Sequence, residues 1–322
     1  MTYYQSMINN TVEKIVQNSQ YYKNSIIVGD NSSGKSEILK HVIERKMQDG
    51  IYFIDATNRT FDVEGVELES EDWKRVKLDK QCVVMYRIQP NNFNLQDTFY
   101  ATSSIEKLYA KYEQQISKLC KVLLNIKFEI KAVKYEEGDM EKKAVLDGKI
   151  MTLSSGYQAI LRIFIELLYF QDVVTENKII NPMVVIDEID EYLSPKYSAK
   201  IFNFLAEEFS EFSFVVSTHS CDLVKHSKDF NLIVLDGEAS DYYDSRDLEE
   251  RIDIETIFTR LFFENEMEFK SENDEVDELL RKFLNRKLMK IWDEETQKQY
   301  DELKEEELAP HQRYLWKQIK EW

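Results

Sequence analysis

The segment from Gly29 to Ser36 has the residue types and the spacing of a loop that binds phosphate groups. It consists of Gly29, Asp30, Asn31, Ser32, Ser33, Gly34, Lys35 and Ser36, the complete pattern G-x-x-x-x-G-K-S. A strand-like run precedes it and a helical pattern begins near Lys35, so we expect strand, loop and helix in that order. The backbone N–H groups of such a loop, at a helix N-terminus, bind anions. We predict that Lys35 contacts the β- and γ-phosphates of ATP and that the Ser36 hydroxyl ligates Mg²⁺.

Two acidic residues, Asp187 and Glu188, follow the apolar run 183–186. This pattern is typical of a buried parallel strand that delivers carboxylates at its carboxyl end, where α/β sheets bind ligands. We predict that Asp187 holds Mg²⁺ and that Glu188 deprotonates the attacking water. The pair taken alone would fit a solvated turn almost equally well. Two further acids, Asp190 and Glu191, follow, so the assignment within the cluster depends on position.

His219 follows a second apolar strand, 212–216, and is one of four histidines in the chain. A neutral imidazole can donate a hydrogen bond to a γ-phosphate and so respond to its presence. A lone loop histidine is more often a surface residue. The position of His219 one strand after the acidic pair favours a place in the site.

The segment Leu153-Ser154-Ser155-Gly156-Tyr157-Gln158 has the form L-S-x-G-x-Q and leads into a helical pattern over 157–169. It resembles the signature motif of ABC-type ATPases in the form found in RecF, SMC and OLD proteins. The resemblance implies that this segment, with Ser154, Ser155 and Gly156, reaches across a head-to-tail homodimer to the γ-phosphate on the other subunit. Ser154 is also a favourable helix N-cap, and the two roles are compatible.

The resemblance covers residues 25–237 and implies an α/β ABC-type P-loop ATPase head with a central, mostly parallel sheet. It also implies a glutamine that contacts Mg²⁺ and the γ-phosphate. Gln89 is our candidate for this residue and Gln96 is the alternative. The chain departs from the family at its start, where a helical pattern replaces antiparallel strands and their base-stacking aromatic residue. Tyr21 or Tyr22 could stack on the base, although packing is the favoured role.

The pattern along the chain predicts an ATPase head over 1–237 and an acidic helical region over 238–322. Within the head, an insertion of about 95–150 combines an amphipathic helix, 104–126, with a hairpin. The hairpin strands are predicted over 128–135 and 142–152.

Composition places the chain among large globular proteins. Its 322 residues are 43% hydrophobic, which suffices for a large core. We find neither a signal peptide nor an apolar run of the roughly 18–20 residues that a membrane span needs, so we expect a cytoplasmic protein. The three cysteines, Cys82, Cys120 and Cys221, are scattered, which indicates reduced thiols rather than disulfides.

The formal net charge of −18 limits the partners that the chain can bind. Residues 238–322 hold 25 acidic and 14 basic residues, so 11 of the 18 excess negative charges lie there. Binding to nucleic acid relies on basic patches, so DNA contact is expected only indirectly or through an oligomer. The acidic bias fits either a solvated surface or a docking face for a basic partner.

The motifs predict an ATPase. The resemblance implies that it forms a homodimer, or a higher homo-oligomer, around ATP and Mg²⁺ and that it controls a separate effector such as a nuclease or toxin. The chain is similar in this respect to ATPase subunits of bacterial anti-phage systems such as Septu, PARIS and retrons. Two alternatives stay open. A RecF-like DNA repair protein would need a basic face on the dimer, and a nucleotide-clamped scaffold would not need Glu188 as a base.

Overall fold

The computed structural model describes most of the chain in two compact units, Met1–Ile257 and Phe258–Trp322. The described residues are 3–46, 50–57, 59–68, 105–134, 140–236, 239–250, 254–264, 276, 279–280, 283, 287, 292–301, 303, 308 and 310–321.

The first unit alternates strands and helices. Its described helices are α1 (Tyr3–Val16), α2 (Lys35–Lys46), α3 (Tyr109–Leu123), α4 (Ser155–Asn177), α5 (Pro195–Glu208), α6 (Cys221–His226), α7 (Ser245–Glu250) and α8 (Ile254–Thr259). Its strands are β1 (Asn24–Gly29), β2 (Ile51–Ile54), β3 (Phe128–Lys134), β4 (Met140–Leu146), β5 (Lys149–Ile150), β6 (Met183–Ile186), β7 (Ser213–Thr218), β8 (Phe230–Asp236) and β9 (Ala239–Asp244). A short 3-10 helix, Ile105–Leu108, precedes α3.

The described strands of the main sheet lie in the order β2-β6-β7-β1-β8-β9. The first five are parallel, and β9 pairs antiparallel with β8 at the edge. Every residue of β1, β2 and β6 is buried, which explains why these strands have near-continuous apolar sequences. The predicted mostly parallel α/β fold is confirmed.

The insertion consists of the 3-10 helix, α3 and a small antiparallel sheet in the order β3-β4-β5. Helix α3 buries one stripe, which includes Tyr112, Ile116 and Leu119. The second predicted hairpin strand, 142–152, is divided into β4 and β5, because the chain turns at Asp147 and Gly148, which both have positive φ.

Helix α4 is 23 residues long, and most of its buried residues are apolar. Ser154 caps its N-terminus by accepting a hydrogen bond from the Tyr157 N–H at 3.3 Å. It ends at Lys178, whose left-handed conformation closes the last turn. The helix is longer than the predicted 157–169 because its buried apolar residues continue as far as Val173.

Strand β9 shows that the chain does not become wholly helical after Asp236. Residues 239–244 pair with β8 from Asp236 back to Asn231. The strand is an edge strand with half-exposed side chains, so its sequence lacks the apolar run by which the inner strands were recognised. Helix α1 packs along this edge, where the Thr11 Oγ1 lies 2.6 Å from the Tyr242 hydroxyl.

The second unit has a core of its own. Its described residues include a π-helical turn, Arg260–Glu264, and the helices α9 (Glu294–Asp301) and α10 (Pro310–Glu321). Leu280, Phe283, Tyr300 and Ile319 are buried together. The Tyr300 ring stacks on Trp316 with centroids 5.5 Å apart, and its hydroxyl donates to the Trp316 carbonyl.

Candidate nucleotide-binding site

The predicted site segments converge at the carboxyl ends of three neighbouring strands, β6, β7 and β1. Asp187 and Glu188 follow β6, His219 follows β7, and the phosphate loop follows β1. Since these strands are parallel and adjacent, their following residues meet at one edge of the sheet.

The predicted phosphate loop, Gly29 to Ser36, runs from the last residue of β1 into the first turn of α2, in the expected order of strand, loop and helix. Gly34 has φ of +100°, a region that a side chain strongly disfavours, and a Cβ there would lie 2.6 Å from the Tyr4 hydroxyl. Lys35 is buried, and its ammonium donates to the carbonyl groups of Gly29 at 2.9 Å and Asp30 at 3.0 Å. Burial lowers the pKa of Lys35, an effect that Glu188 and Asp187 oppose. An ammonium has three N–H donors, so its charge and one donor can still act on a phosphate.

Ser36 and Asp187, the two predicted metal ligands with described positions, are brought together. The Ser36 hydroxyl donates to Oδ2 of Asp187 at 3.3 Å, while Oδ1 accepts a hydrogen bond of 2.5 Å from the Ser217 hydroxyl. Asp187 is 6% exposed, and burial raises its pKa. A nearby cation would favour the ionised form of this carboxylate.

Glu188 and His219 form the second pair of the site. His219 Nε2 lies 3.5 Å from Glu188 Oε1, and both side chains are 34% exposed. The hydrogen bond from His219 lowers the pKa of Glu188, so the group is a carboxylate near neutral pH. Glu188 itself has φ of +46°, an uncommon conformation for a residue with a side chain.

Asp190, whose role the sequence left open, is tied into the fold. Its two oxygens accept hydrogen bonds from the hydroxyl groups of Thr218 at 2.6 Å and Ser198 at 3.0 Å. Glu191 is exposed. The carboxylates that face the loop are therefore Asp187 and Glu188.

The signature-like segment forms the start of α4. Ser154 is its N-cap, and Ser155 is the first helical residue. The backbone at Gly156 lies so close to the Tyr192 carbonyl oxygen that a Cβ would approach it to 2.9 Å. The segment is thus packed against the loop that follows Glu188.

Two expectations concern residues away from this constellation. Gln89 and the alternative Gln96 lie outside the described residues. Tyr21 and Tyr22 precede β1, at the opposite end of a six-residue strand from the phosphate loop. At about 3.3 Å per residue, this separation favours packing over base stacking. Tyr21 stacks beneath Arg246, and the Tyr22 N–H donates to Asn231.

Arg59 is a component of the site that the sequence did not reveal. Its side chain is 2% exposed and donates to the carbonyl groups of Asp55, Asp187 and Ile189. Burial lowers the pKa of its guanidinium, and Asp55 and Asp187 oppose that effect. A single arginine in a polar stretch carries no local signal for such a role.

The residues present fit a nucleoside triphosphate with Mg²⁺. The Ser33 hydroxyl in the loop is buried and has no hydrogen-bond partner among the described residues, which suits a group that donates to a phosphate oxygen. Ser36 and Asp187 offer hard oxygen ligands, and Mg²⁺ is usually bound by one or two such protein groups together with substrate phosphates and water. In the described ranges, no group of three or more His, Cys, Asp or Glu side chains is placed to hold a metal ion.

The sheet, the loop and the acidic strand end together define the class of fold: a mostly parallel α/β sheet in which a P-loop pattern joins β1 to α2. Residues 84–224 match the model of a family described as "AAA domain, putative AbiEii toxin, Type IV TA system". No curated protein matches the chain.

Solved structures similar to this chain include SMC heads and an ABC cassette. An SMC head bound to the C-winged helix domain of ScpA is 15% identical, with coverage of 68% of this chain and 89% of that one and a TM-score of 0.33. A nucleotide-free ATP-binding cassette from an ABC transporter is 17% identical, with coverage of 73% and 87% and a TM-score of 0.39. The SMC head domain from Thermotoga maritima is 16% identical, with coverage of 69% and 90% and a TM-score of 0.36.

Among the described residues, no helix has the length and apolar character needed to cross a membrane.

Proposed function

We propose that the chain binds ATP with Mg²⁺, dimerises around it and hydrolyses it to ADP and phosphate, and that this cycle controls a separate effector protein. The observation that carries the proposal is the meeting of two pairs at one sheet edge. Ser36 lies 3.3 Å from Asp187, and Glu188 lies 3.5 Å from His219. Both pairs adjoin the loop that holds Lys35.

Each residue has a distinct role in this proposal. The loop N–H groups and Lys35 bind the β- and γ-phosphates, with electrostatic stabilisation where negative charge develops. Ser36 and Asp187 would hold Mg²⁺, which would supply positive charge against the phosphates. Glu188 accepts a proton from the water that attacks the γ-phosphorus, and the bond from that phosphorus to the bridging oxygen breaks, so that ADP leaves. His219 orients the Glu188 carboxylate and can donate to the γ-phosphate.

Dimerisation is the part of the proposal that involves Ser154, Ser155 and Gly156. Ser154 and Ser155 stand at the start of the 23-residue helix α4, where unpaired N–H groups and the helix dipole favour an anion. A second copy of the chain would present this segment to the γ-phosphate and complete the site. The site would then be sensitive to subunit association.

Control of a separate effector is the part of the proposal that rests on the charge of the chain. The description of the matched family, a putative AbiEii toxin of a Type IV TA system, names a toxin and not a regulator of one. The net charge of −18 disfavours direct binding to nucleic acid, so a protein partner such as a nuclease or toxin suits the chain better.

Phosphate release and ATP binding, measured on three proteins, test the function. Glu188→Gln should bind ATP normally and lose about 10²- to 10⁴-fold in turnover, the usual contribution of a general base. Lys35→Ala should lose about 10- to 100-fold in ATP affinity, since a charge-assisted hydrogen bond is removed. Equal and negligible turnover of wild type and Glu188→Gln would instead favour a nucleotide-clamped scaffold.

A further inference from the structure

The backbone around Glu188 is held in an unusual shape. Its φ of +46° lies in the left-handed region, which a residue with a side chain adopts only where its surroundings impose it. The residue lies two positions after the end of β6 at Ile186, so an extended continuation of the strand would direct its carboxylate elsewhere. Other groups must therefore fix this conformation.

Ser217 holds one side of the turn. Its hydroxyl accepts a hydrogen bond of 2.8 Å from the Glu188 N–H, and its carbonyl accepts one of 3.0 Å from the Ile189 N–H. The Glu188 carbonyl accepts from the Glu191 N–H at 2.9 Å. These bonds satisfy the N–H groups of Glu188 and Ile189. The carbonyl groups of Asp187 and Ile189, on either side of the turn, accept from another donor.

Arg59 supplies those donors. Its Nη2 donates to the Asp187 carbonyl at 2.5 Å and its Nη1 to the Ile189 carbonyl at 3.0 Å, so one guanidinium spans Glu188. Its Nε donates to the Asp55 carbonyl at 2.9 Å, which anchors the side chain to the end of β2. The planar, rigid geometry of a guanidinium suits such a fork, whereas a lysine offers a single flexible point.

We propose that Arg59 is a positioning residue, which keeps the Glu188 carboxylate aimed at the water that attacks the γ-phosphate. The inference rests on the proposed function and extends it to a residue that contacts neither substrate nor metal. Its three acceptors are all backbone carbonyls, and two of them flank Glu188, so its effect passes through the shape of this turn.

Arg59→Lys tests the role, because it keeps the charge and removes the fork. We expect turnover to fall about 10- to 100-fold, the order of loss that follows a small misplacement of a reacting group. The ATP dissociation constant, measured by calorimetry, should stay within about 3-fold of wild type, since the loop is intact. Loss of ATP affinity in parallel with turnover, or unchanged turnover, would overturn the proposal.

A double-mutant cycle separates positioning from general stability. If Arg59 acts through Glu188, Arg59→Lys should cause no further loss of turnover in a Glu188→Gln background. An equal loss in both backgrounds would contradict this. Arg162→Lys is the matched control, because Arg162 is also buried but pairs with Glu106 and Glu166. It should lower Tm without changing turnover per folded molecule.

The failure of this inference is distinguishable from that of the proposed function. A wild type without phosphate release would refute the function itself. Active wild type, inactive Glu188→Gln and normal Arg59→Lys would overturn only the role of Arg59. If Arg59→Lys and Arg59→Gln both failed to fold, the guanidinium would belong to fold stability and the positioning role would be wrong.

Discussion

Gly34 is the residue at which the phosphate loop turns into helix α2, and its replacement tests the loop geometry directly. In Gly34→Ala the alanine would have to adopt a φ of +100°, and its Cβ would lie 2.6 Å from the Tyr4 hydroxyl. We expect a loss of about 1–2 kcal/mol in the free energy of unfolding from the backbone strain. We also expect at least about a 10-fold loss of ATP affinity, because the loop N–H groups would be re-aimed.

Gly148→Ala is the control for that change. Gly148 has φ of +80° in the turn between β4 and β5, and a Cβ there meets nothing within 4 Å. Gly148→Ala should lose a similar free energy of unfolding, which chemical denaturation measures. Its ATP affinity, measured by calorimetry, should stay at the wild-type value. Equal weakening of ATP binding in both variants would show a global effect and contradict the loop argument.

The roles proposed for Lys35, Ser36, Asp187 and Glu188 could be predicted because each lies in a local pattern. A loop motif and an acidic strand end can be recognised from consecutive residues of the sequence, without knowledge of distant contacts. Arg59 could not be found in this way, because two of its acceptors lie 128 and 130 positions along the chain. Asp187 and Asp190 each accept hydrogen bonds from two hydroxyl groups, but one of the donors to Asp187 is Ser36 of the phosphate loop, whereas Asp190 accepts from Thr218 and Ser198. Tertiary structure brings these donors to the two carboxylates.

The 3-10 helix before α3 and helix α4 are joined by a buried charge cluster. Arg162 donates to Glu166 at 2.5 Å and to Glu106 at 2.7 Å, and all three side chains are at most 7% exposed. Arg162→Met would leave two buried carboxylates without this cation, so we expect a loss of about 3–5 kcal/mol in the free energy of unfolding. Chemical denaturation measures it.

Removal of the carboxylates as well should restore part of that loss. The variant Arg162→Met with Glu106→Gln and Glu166→Gln contains no uncompensated charge in the cluster. It should be more stable than Arg162→Met alone. If the triple variant were less stable than the single one, packing rather than charge would explain the effect.

Helix α3 also buries the thiol of Cys120, and the rate at which this thiol reacts measures how readily the helix opens. Cys120 is fully buried, and burial raises its pKa to about 12, so on the order of one thiolate in 10⁴ exists at pH 8. In a Cys82→Ser background, a thiol reagent at pH 8 should label Cys221, which is half-buried, well before Cys120. Mass spectrometry of peptides locates the label. Faster labelling of Cys120 would mean that α3 opens readily.

The elements were predictable where hydrophobic periodicity is strong. The pattern over 104–126 locates α3, and the apolar runs locate β1, β6 and β7. Strand β9 was missed because an edge strand is held by pairing with β8 rather than by its own apolar sequence. Its inclusion extends the sheet to Asp244, and the boundary between the two compact units lies at Ile257.

The molecule as a whole combines a proposed nucleotide-binding site with a formal net charge of −18 and a second unit that has its own aromatic core. The proposed site needs two copies of the chain, so its turnover depends on dimerisation as well as on the site residues of each copy. This dependence can be measured without knowledge of the effector, since defects in two different copies should complement each other only if the site is shared between them.

Ser154→Arg and Lys35→Ala provide those two defects. Each protein alone should be inactive, because the first blocks the signature segment and the second removes the phosphate-binding ammonium. A 1:1 mixture should regain about a quarter of wild-type phosphate release, since half of the dimers are mixed and each has one intact composite site. Lys35→Ala mixed with Glu188→Gln is the matched control, because both defects lie on the same side of the shared site. That mixture should regain nothing, and recovery in both mixtures, or in neither, would contradict a site built from two copies.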